Sequence, residues 1–323
     1  MVTLKDIREA QTRLRGVALH TELILSSLGE YTGQGGRRLY LKPENLQPIG
    51  AFKLRGAYNK IASLSPEERS RGVITYSSGN HGQGVAFAAR ALGTKAVIVM
   101  PNDAPAVKRE ATAALGAEIV LVGPGSLERQ TKAEDLAAQH GYVIVPPFND
   151  EKIIAGQGTM GLEILEDLPE VETVFVPVGG GGMISGVAAA IKLSKPGTKV
   201  IGVEPELAAD AQASLRAGKI VQSSAEQTSR TIADGLRTQS VGAINFEHIQ
   251  KYVDDILTVS EYEIRQAVRW LAGNPKTIAE PSGAVAVAGF LFHQDEWPKT
   301  TINVAIISCG NIDPQMLQEI TRL

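Results

Sequence analysis

Four consecutive glycines follow an apolar run at residues 174–178 and precede a helical pattern: Gly179, Gly180, Gly181 and Gly182. Glycine lacks a Cβ, so neighbouring backbone N–H groups can point inward together, and a helix N-terminus adds positive potential. This combination is typical of a phosphate site. A tight turn needs only one or two glycines, and no Gly-Lys-Ser/Thr follows. The pattern therefore predicts phosphate binding of a kind other than the P-loop.

A second connection between a strand pattern and a helix pattern lies at residues 75–84. It brings hydroxyls, an amide, an imidazole and three glycines together. Taken alone, Ser78 favours a helix cap and His81 favours a structural histidine. One turn residue would suffice to connect the two elements. The joint placement of these side chains therefore predicts a loop that contacts a ligand.

Two further segments carry reactive side chains. Lys53 lies among small and apolar residues where a helical pattern begins, and desolvation there would lower its pKa and expose a nucleophilic amine. This segment alone favours the alternative, a lysine that reaches solvent from a helix end. The last apolar run ends in Ser308 and Cys309. No motif supports a nucleophilic thiol, so Cys309 is interpreted as a small packing residue.

One glycine motif is interpreted as structural. Gly156, Gly158 and Gly161 fit the dinucleotide-binding spacing G-x-G-x-x-G, but the preceding residues 149–152 form no buried strand. The context that such a site requires is therefore missing. The motif predicts a tightly packed helix start rather than a nicotinamide site.

The elements that must position these residues alternate along the chain. Short runs rich in Val and Ile predict strands buried on both faces, at residues 38–42, 73–76, 95–100, 118–122, 142–145, 174–178, 199–203 and 302–307. Helical patterns between them include residues 84–92, 107–115, 130–139, 184–193 and 261–272. This alternation predicts an α/β protein with twisted, largely parallel sheets that bind ligands at the carboxyl ends of their strands. No linker is visible, so any second domain is expected to be inserted within the first.

Composition excludes several classes of function. The chain has 323 residues and a net charge of −3, which argues against a nucleic-acid partner. Its single cysteine excludes an internal disulfide framework. The N-terminal segment is charged and lacks the apolar core of a signal peptide, and no apolar run approaches the ~18 residues of a membrane span. We therefore expect a cytoplasmic protein without a membrane partner.

Four motifs, taken in order, resemble the fold-type II pyridoxal-phosphate (PLP) enzymes, whose fold is like that of the tryptophan synthase β subunit. They are GAFKLRGA from residue 50, SSGNHGQG from residue 77, VGGGG from residue 178 and SCGN from residue 308. Within this group the chain is similar to serine/threonine dehydratases and serine racemase. The resemblance implies two twisted, mostly parallel sheets flanked by helices. It places a small domain, residues 51–145 with a core at about 72–145, inside a large PLP-binding domain, residues 1–50 and 146–323.

The resemblance also implies a role for each matching residue. Lys53 would carry the cofactor PLP covalently, with Phe52 packed beside the ring. Asn80 would donate to the phenolic oxygen of the ring, and Ser308 would face its nitrogen. The backbone N–H groups that would bind the phosphate belong to Gly179, Gly180, Gly181, Gly182 and Met183. The residues that would bind the substrate carboxylate are Ser77, Ser78, Asn80 and His81.

The reaction implied is β-elimination of water from L-threonine or L-serine, which yields a 2-oxo acid and ammonia, with Lys53 as general base. The alternatives are serine racemase and a 3-hydroxyaspartate ammonia-lyase or racemase, because in the racemases a serine that matches Ser78 reprotonates Cα. Ala133 stands where the racemase comparison expects an arginine, which favours a dehydratase. A binding protein without activity would need the four glycines for a phosphate ligand but would have no use for Lys53.

The resemblance implies two further features. Glu204, the carbonyl of Ala208 and Asp210 match a racemase-type site for a divalent cation, and hard oxygen ligands suit Mg²⁺ or Ca²⁺. A homodimer that acts on a small amino-acid substrate is also expected. The spacing of the residues does not identify which β-hydroxy amino acid is preferred.

Overall fold

The computed structural model describes residues 1–26, 36–77, 79–102, 104, 106–123, 126–297 and 299–322. The strands are β1 (Ile24–Leu25), β2 (Arg38–Pro43), β3 (Val73–Tyr76), β4 (Ala96–Pro101), β5 (Glu118–Val122), β6 (Val143–Ile144), β7 (Thr173–Pro177), β8 (Lys199–Pro205), β9 (Asp255–Val259) and β10 (Ile302–Ile307). The helices are α1 (Leu4–Leu14), α2 (Lys53–Ala62), α3 (Pro66–Arg71), α4 (Asn80–Ala91), α5 (Ala106–Ala114), α6 (Ser126–His140), α7 (Glu151–Asp167), α8 (Gly182–Ser194), α9 (Asp210–Ala217), α10 (Ala225–Thr228), α11 (Ala243–Tyr252), α12 (Glu261–Leu271), α13 (Pro281–Phe292) and α14 (Pro314–Thr321). Short 3-10 turns lie at Glu44–Leu46, Glu206–Ala208, Asp234–Leu236 and Pro275–Thr277.

The strands form two sheets. One has six strands in the order β1-β2-β10-β7-β8-β9, and the other has four in the order β5-β4-β3-β6. Among the strand pairs of the described chain, β1 with β2 is antiparallel and the rest are parallel. The predicted α/β architecture with two mostly parallel sheets is confirmed. The smaller sheet is built from chain that lies between β2 and β7, and the domain boundaries stay a prediction.

Every strand that the sequence predicted is present, with ends that shift by at most two residues. The sequence pattern missed β1 and β9, which are the two edges of the six-stranded sheet. An edge strand pairs on one side only, so it carries less of the continuous apolar run that marks a central strand.

Helices cover both faces of the six-stranded sheet. In the central strand β10, Val304 and Ile306 point into one apolar cluster, whereas Ala305 and Ile307 point into the other. The strand is apolar throughout these residues because both of its faces are buried. Among the described residues, no helix combines the length and the apolar character needed to cross a membrane.

The G-x-G-x-x-G motif lies inside α7, which begins at Glu151, so the prediction of a helix start there is wrong. The prediction of tight packing is confirmed. A Cβ on Gly156 would lie 2.7 Å from the Arg55 carbonyl oxygen, and one on Gly158 would lie 3.0 Å from the Gly186 carbonyl oxygen. The glycines therefore let α7 approach α2 on one side and α8 on the other.

Candidate active site

Two backbone contacts fix the point at which α2 begins. The Phe52 N–H donates to the Ser308 carbonyl at 3.0 Å, and Ala51 forms an isolated antiparallel bridge with Cys309. Lys53 is the first residue of the helix, as its sequence predicted. The start of α2 is thereby joined to the segment that follows β10, so Lys53 lies at the carboxyl edge of the larger sheet.

The Lys53 amine is partly buried and has no carboxylate partner among the described residues. Its Nζ donates to the Pro147 carbonyl at 2.8 Å. Desolvation lowers the pKa of Lys53 to about 8, although the neighbouring Cys309 opposes the shift. The amine therefore gives up its proton more readily than an ordinary lysine, which has a pKa of 10.5.

The glycine loop, residues 179–182, connects β7 to α8. Gly181 adopts φ of 91° as the N-cap of α8, a left-handed conformation that favours glycine. Within the described part of the chain, no acceptor receives the N–H groups of residues 179–183. The first N–H groups of a helix have no partner inside the helix, so together with the loop they form a row of free donors suited to an anion.

The segment Pro147–Phe148 brings the amine and the glycine loop together. Pro147 accepts from Lys53, as described above. A Cβ on Gly180 would collide with the Phe148 ring, and one on Gly182 would lie 2.9 Å from the Phe148 Cβ. The glycines thus make room for Phe148 as well as exposing N–H groups. One short segment therefore touches both the amine and the free donors.

Helix α4 begins at Asn80, earlier than the sequence pattern indicated, so Asn80 and His81 occupy its first turn. Ser77 precedes the helix, and its Oγ accepts from the Gly79 N–H at 3.2 Å. Ser78 lies outside the described residues. The predicted carboxylate-binding residues that the structure describes therefore gather at a helix N-terminus, where partial positive charge favours an anion.

His81 is buried and neutral. Burial lowers its pKa to about 3, and the nearby Lys53 adds to the effect. One ring nitrogen, Nε2, lies 3.0 Å from the Val145 carbonyl oxygen, a contact that a neutral ring makes by donating from that nitrogen. His81 therefore helps to fix the position of α4, and it adds no charge next to the Lys53 amine.

Asn80 is held from two sides by residues to which the sequence analysis assigned no role. Its Nδ2 donates to Glu280 Oε1 at 2.8 Å, and its Oδ1 accepts from Asn311 Nδ2 at 2.8 Å. The second N–H of the Asn80 amide stays available for a ligand. Glu280 is buried, and burial raises its pKa. A carboxylate at the start of the apolar helix α13 was the signal that could have singled it out.

Ser308 and Cys309 lie side by side below the start of α2. The Ser308 Oγ is 3.4 Å from the Ser282 carbonyl oxygen and 3.2 Å from the Cys309 Sγ. Burial raises the pKa of the Cys309 thiol well above its usual range. A thiol that resists ionisation is a poor nucleophile, which supports the packing role expected for Cys309.

The predicted cation ligands lie beyond the end of β8. Glu204 accepts the N–H groups of Ala211 and Gln212 at 3.0 and 2.8 Å. Both carboxylate oxygens of Asp210 are buried and have no hydrogen-bond partner of good geometry in the described chain, although the backbone N–H groups of Asp210 and Val241 lie near enough to oppose the rise of its pKa. Burial raises the pKa of Asp210 to about 7, and burial together with Asp210 raises that of Glu204. Ala208 ends the adjoining 3-10 turn. Two close carboxyl groups that lack counter-charges suit a cation. Among the described residues, however, no three side chains of His, Cys, Asp or Glu lie together in a way that could hold a metal ion, so a backbone carbonyl such as that of Ala208 would have to complete the site.

A buried charge cluster anchors the other face of α2. We call it the Arg55 cluster, and its members are Lys42, Glu44, Arg55 and Glu163. Arg55 Nε donates to Glu44 at 2.8 Å, and its Nη1 donates to Glu163 at 2.6 Å. Lys42 Nζ donates to Glu163 at 2.6 Å. Two cations and two carboxylates balance one another, so the cluster fixes α2 without leaving a net charge behind the site.

Comparisons with known proteins agree with this geometry. The family described as "Pyridoxal-phosphate dependent enzyme" matches residues 20–310. The L-threonine ammonia-lyase of Thermotoga maritima is 49% identical over 99% of this chain and 78% of its own length. The L-threo-3-hydroxyaspartate ammonia-lyase of Saccharomyces cerevisiae is 42% identical over 96% of this chain and 94% of its own. The structure of maize serine racemase superimposes with a TM-score of 0.92 at 36% identity, covering 98% of this chain and 96% of that one.

Proposed function

Since this chain belongs to the pyridoxal-phosphate dependent enzymes, we propose that it is an ammonia-lyase that removes water from a β-hydroxy amino acid, L-threonine or L-serine. The products are a 2-oxo acid and ammonia. The observation that carries the proposal is the meeting of the Lys53 amine with the free donors of the glycine loop around Pro147–Phe148. Relatives named as ammonia-lyases of threonine and of hydroxyaspartate support the reaction class.

The residues present fit PLP. Lys53 would hold its aldehyde carbon, and the free N–H groups of the glycine loop would hold its phosphate. Phe52 lies beside the amine, with its ring centroid 5.2 Å from Lys53 Nζ. Ser308 would face the ring nitrogen, where a hydroxyl does not enforce protonation as a carboxylate would. When bound, PLP withdraws electrons from the substrate Cα and so stabilises the charge that proton loss leaves there.

Lys53 would serve as the base once the amino group of the substrate has replaced its amine at the cofactor. Its neutral amine accepts the Cα proton, and a pKa of about 8 keeps that neutral form accessible near neutral pH. The Cβ–O bond would then break with its electron pair, and the hydroxyl would leave as water after taking up one proton, which balances the proton that Lys53 accepts from Cα. Hydrolysis of the resulting enamine gives the 2-oxo acid and ammonia, so the reaction needs no oxidant or reductant.

The N-terminus of α4 would bind the substrate carboxylate. Its first-turn N–H groups and the Ser77 hydroxyl are donors, and the helix dipole favours a negative charge at this end. His81 is neutral, so it does not compete with Lys53 for a proton. Asn80, fixed by Glu280 and Asn311, has one N–H left to donate toward the cofactor.

Replacing Lys53 by Ala tests the proposal. We expect the purified variant to lose the visible absorbance of bound cofactor and the release of 2-oxo acid from L-threonine and L-serine. Lys95→Ala is the matched control, because Lys95 is an exposed lysine that pairs with Glu118 at 2.8 Å beside the four-stranded sheet. The control should keep both signals. Wild-type absorbance and turnover in Lys53→Ala would end the proposal.

We also propose a divalent cation, Mg²⁺ or Ca²⁺, bound by Glu204, the Ala208 carbonyl and Asp210. The two unpartnered oxygens of the buried Asp210 support it. Chelation by EDTA is expected to lower the melting temperature, and added Mg²⁺ or Ca²⁺ should restore it, since binding to the folded state alone stabilises that state. A melting temperature that neither chelation nor added cation changes would contradict the site.

Racemisation is the second candidate activity, supported by the likeness to maize serine racemase at a TM-score of 0.92. Chiral analysis of L-serine recovered after incubation distinguishes the two activities. D-serine alongside pyruvate would indicate that both occur, whereas pyruvate alone would indicate a dehydratase. A homodimer and the two-domain division at residues 51–145 stay predictions of the resemblance, and a cytoplasmic location stays a prediction of the sequence composition.

A further inference from the structure

Three consecutive residues that follow β6 each contact a different part of the protein around the proposed site. Pro147 accepts from Lys53, and Phe148 packs against the glycine loop, as described above. Asn149 contacts α11 instead, because its Oδ1 accepts from the Ile244 N–H at 3.0 Å. The segment that joins the amine to the glycine loop is therefore also bonded to α11, a helix that the proposed mechanism does not use.

Helix α11 begins without a cap from its own residues. Its N-cap is Gly242, which has no side chain, so Asn149 supplies the acceptor from another segment. A Cβ on Gly242 would lie 2.7 Å from Asn149 Oδ1 and would collide with Asn245 Oδ1. The glycine therefore makes room for two asparagine side chains at the start of α11.

Asn245 bonds back to the segment that carries Asn149. Its side chain is buried, and its Nδ2 donates to the Phe148 carbonyl at 3.2 Å and to Ser185 Oγ at 3.4 Å. Ser185 lies in the first turn of α8, the helix that follows the glycine loop. Asn245 Oδ1 has no hydrogen-bond partner in the described chain, so the amide acts through its N–H groups. Asn149 and Asn245, which we call the asparagine pair, thus bond the two segments to each other in both directions.

The start of α11 also sets the direction of a peptide unit in the glycine loop. The Gly242 N–H donates to the Gly180 carbonyl at 3.1 Å, and a Cβ on Gly181 would lie 2.9 Å from the Asn245 Cβ. The peptide unit that joins Gly180 to Gly181 is trans, so its N–H points opposite to its C=O. Because α11 holds the carbonyl, the Gly181 N–H is turned away from α11 and stays free for an anion.

We propose that the asparagine pair positions the glycine loop for the phosphate of the cofactor. Asn149 and Asn245 hold the start of α11 against Phe148 and the loop, and this keeps the free N–H groups of residues 179–183 in one arrangement. Donors that are already aligned bind an anion without the entropy cost of ordering them. The inference rests on the proposed function and adds to it two positioning residues that act on the phosphate through the glycine loop.

The test compares PLP with pyridoxal, which lacks the phosphate, as ligands of the cofactor-free full chain. Absorbance titration gives both dissociation constants. Asn149→Ala should lower the ratio of PLP affinity to pyridoxal affinity about fivefold or more, the effect of a lost helix cap, with little change for pyridoxal. Asn149→Asp keeps an acceptor for the Ile244 N–H and should restore most of the ratio. Asn245→Leu has a similar size but no donor, and it should also lower the ratio.

The matched control is Ser65→Ala, because Ser65 caps α3 by accepting from the Glu68 N–H at 3.1 Å, beside the smaller sheet. It should lower the melting temperature about as much as Asn149→Ala but leave the ratio unchanged. Asn149 is exposed, so its variants test the inference even where Asn245→Leu does not fold.

The affinity ratio separates the fate of this inference from that of the proposed function. An unchanged ratio in Asn149→Ala or in folded Asn245→Leu would overturn the inference, as would equal losses of affinity for PLP and pyridoxal, and the proposed function would stand. If the ratio falls as expected but the wild type releases no 2-oxo acid from L-threonine or L-serine, the proposed function fails and the positioning role remains.

Discussion

Lys53 and Arg55 are two cations two residues apart on α2, and their surroundings are opposite. Arg55 is 1% exposed and bonds to two carboxylates, Glu44 and Glu163. Burial alone would lower its pKa, but these partners raise it. Lys53 has a single carbonyl acceptor, and burial lowers its pKa to about 8.

The difference shows two roles for a buried cation: Arg55 holds the helix in place, whereas Lys53 can exchange its proton. A buried charge that is fully paired keeps its proton and orders its surroundings, whereas a buried amine without a carboxylate is easily deprotonated. Helix α2 combines both environments within one turn. The Arg55 cluster fixes the backbone of α2. Lys53 can therefore lack a carboxylate partner and still be held at the carboxyl edge of the larger sheet.

Removing Arg55, the fully paired cation, should have the largest effect on the free energy of unfolding. Arg55→Met leaves Glu44 and Glu163 buried with only Lys42 as counter-charge, so we expect the free energy of unfolding to fall by about 3–5 kcal/mol. Arg71→Met is the control, because Arg71 bonds to an exposed Glu67 and should cost less than about 1 kcal/mol. Urea unfolding measures both variants. Equal losses would show that the cluster contributes no more than a surface pair.

Acid should weaken the same cluster. Burial would raise the pKa of Glu44, but the charge and hydrogen bonds of Arg55 hold it below the ordinary 4.5. The stability that Glu44 contributes is therefore complete above pH 4.5 and is lost as pH falls through its lower folded value. Urea unfolding at several acidic pH values should give a shallower decline for Glu44→Gln than for wild type. Parallel declines would contradict this assignment.

Removing the Lys53 amine should raise the stability of the folded state, whereas removing Arg55 lowers it. The folded pKa of Lys53 is about 8 against an ordinary 10.5, so the unfolded chain binds the extra proton between these values and stability rises with pH there. Lys53→Met lacks this proton. The cofactor-free variant should therefore melt higher than cofactor-free wild type at pH 7, and the difference should shrink as the pH rises from about 8 to 10.5. A variant that melts lower at pH 7 would mean that the amine is well solvated.

Replacing Cys309, the neighbour of Lys53, should have the smallest effect on stability and turnover. Cys309→Ala removes a buried sulfur that stays protonated, so we expect a cost of about 1 kcal/mol in unfolding free energy and little change in turnover. Thermal melting and 2-oxo acid release measure the two quantities. Loss of turnover with normal melting would instead assign Cys309 a chemical role beside Lys53.

The sequence predicted the central strands because their burial on both faces produces continuous Val and Ile runs, as in residues 302–307. It missed the edge strands β1 and β9, whose burial is incomplete. It also placed the start of α4 four residues late, at Gly84 instead of Asn80. Polar residues and glycine fill the first turn of this helix, so they obscure the apolar periodicity on which such a prediction rests.

The sequence could indicate candidate site residues where chemistry depends on residue type within one segment, as for Lys53 and the glycine loop. Contacts between distant segments were not. Glu280 bonds to Asn80 across 200 positions of sequence, and Lys108 bonds to Asp234 across 126. Neither pair has a local spacing that marks it. Only the folding of the two sheets against each other brings their members together.

The position of β10 has a consequence for synthesis on the ribosome. This strand lies between β2 and β7 at the centre of the larger sheet, yet it follows every other described strand along the chain. The segment that follows it also fixes the start of α2 through Ser308 and Cys309. A nascent chain that has not yet exposed these residues has a gap in its main sheet and an unanchored Lys53. Cofactor capture should therefore follow the synthesis of β10 and the segment after it rather than guide early folding.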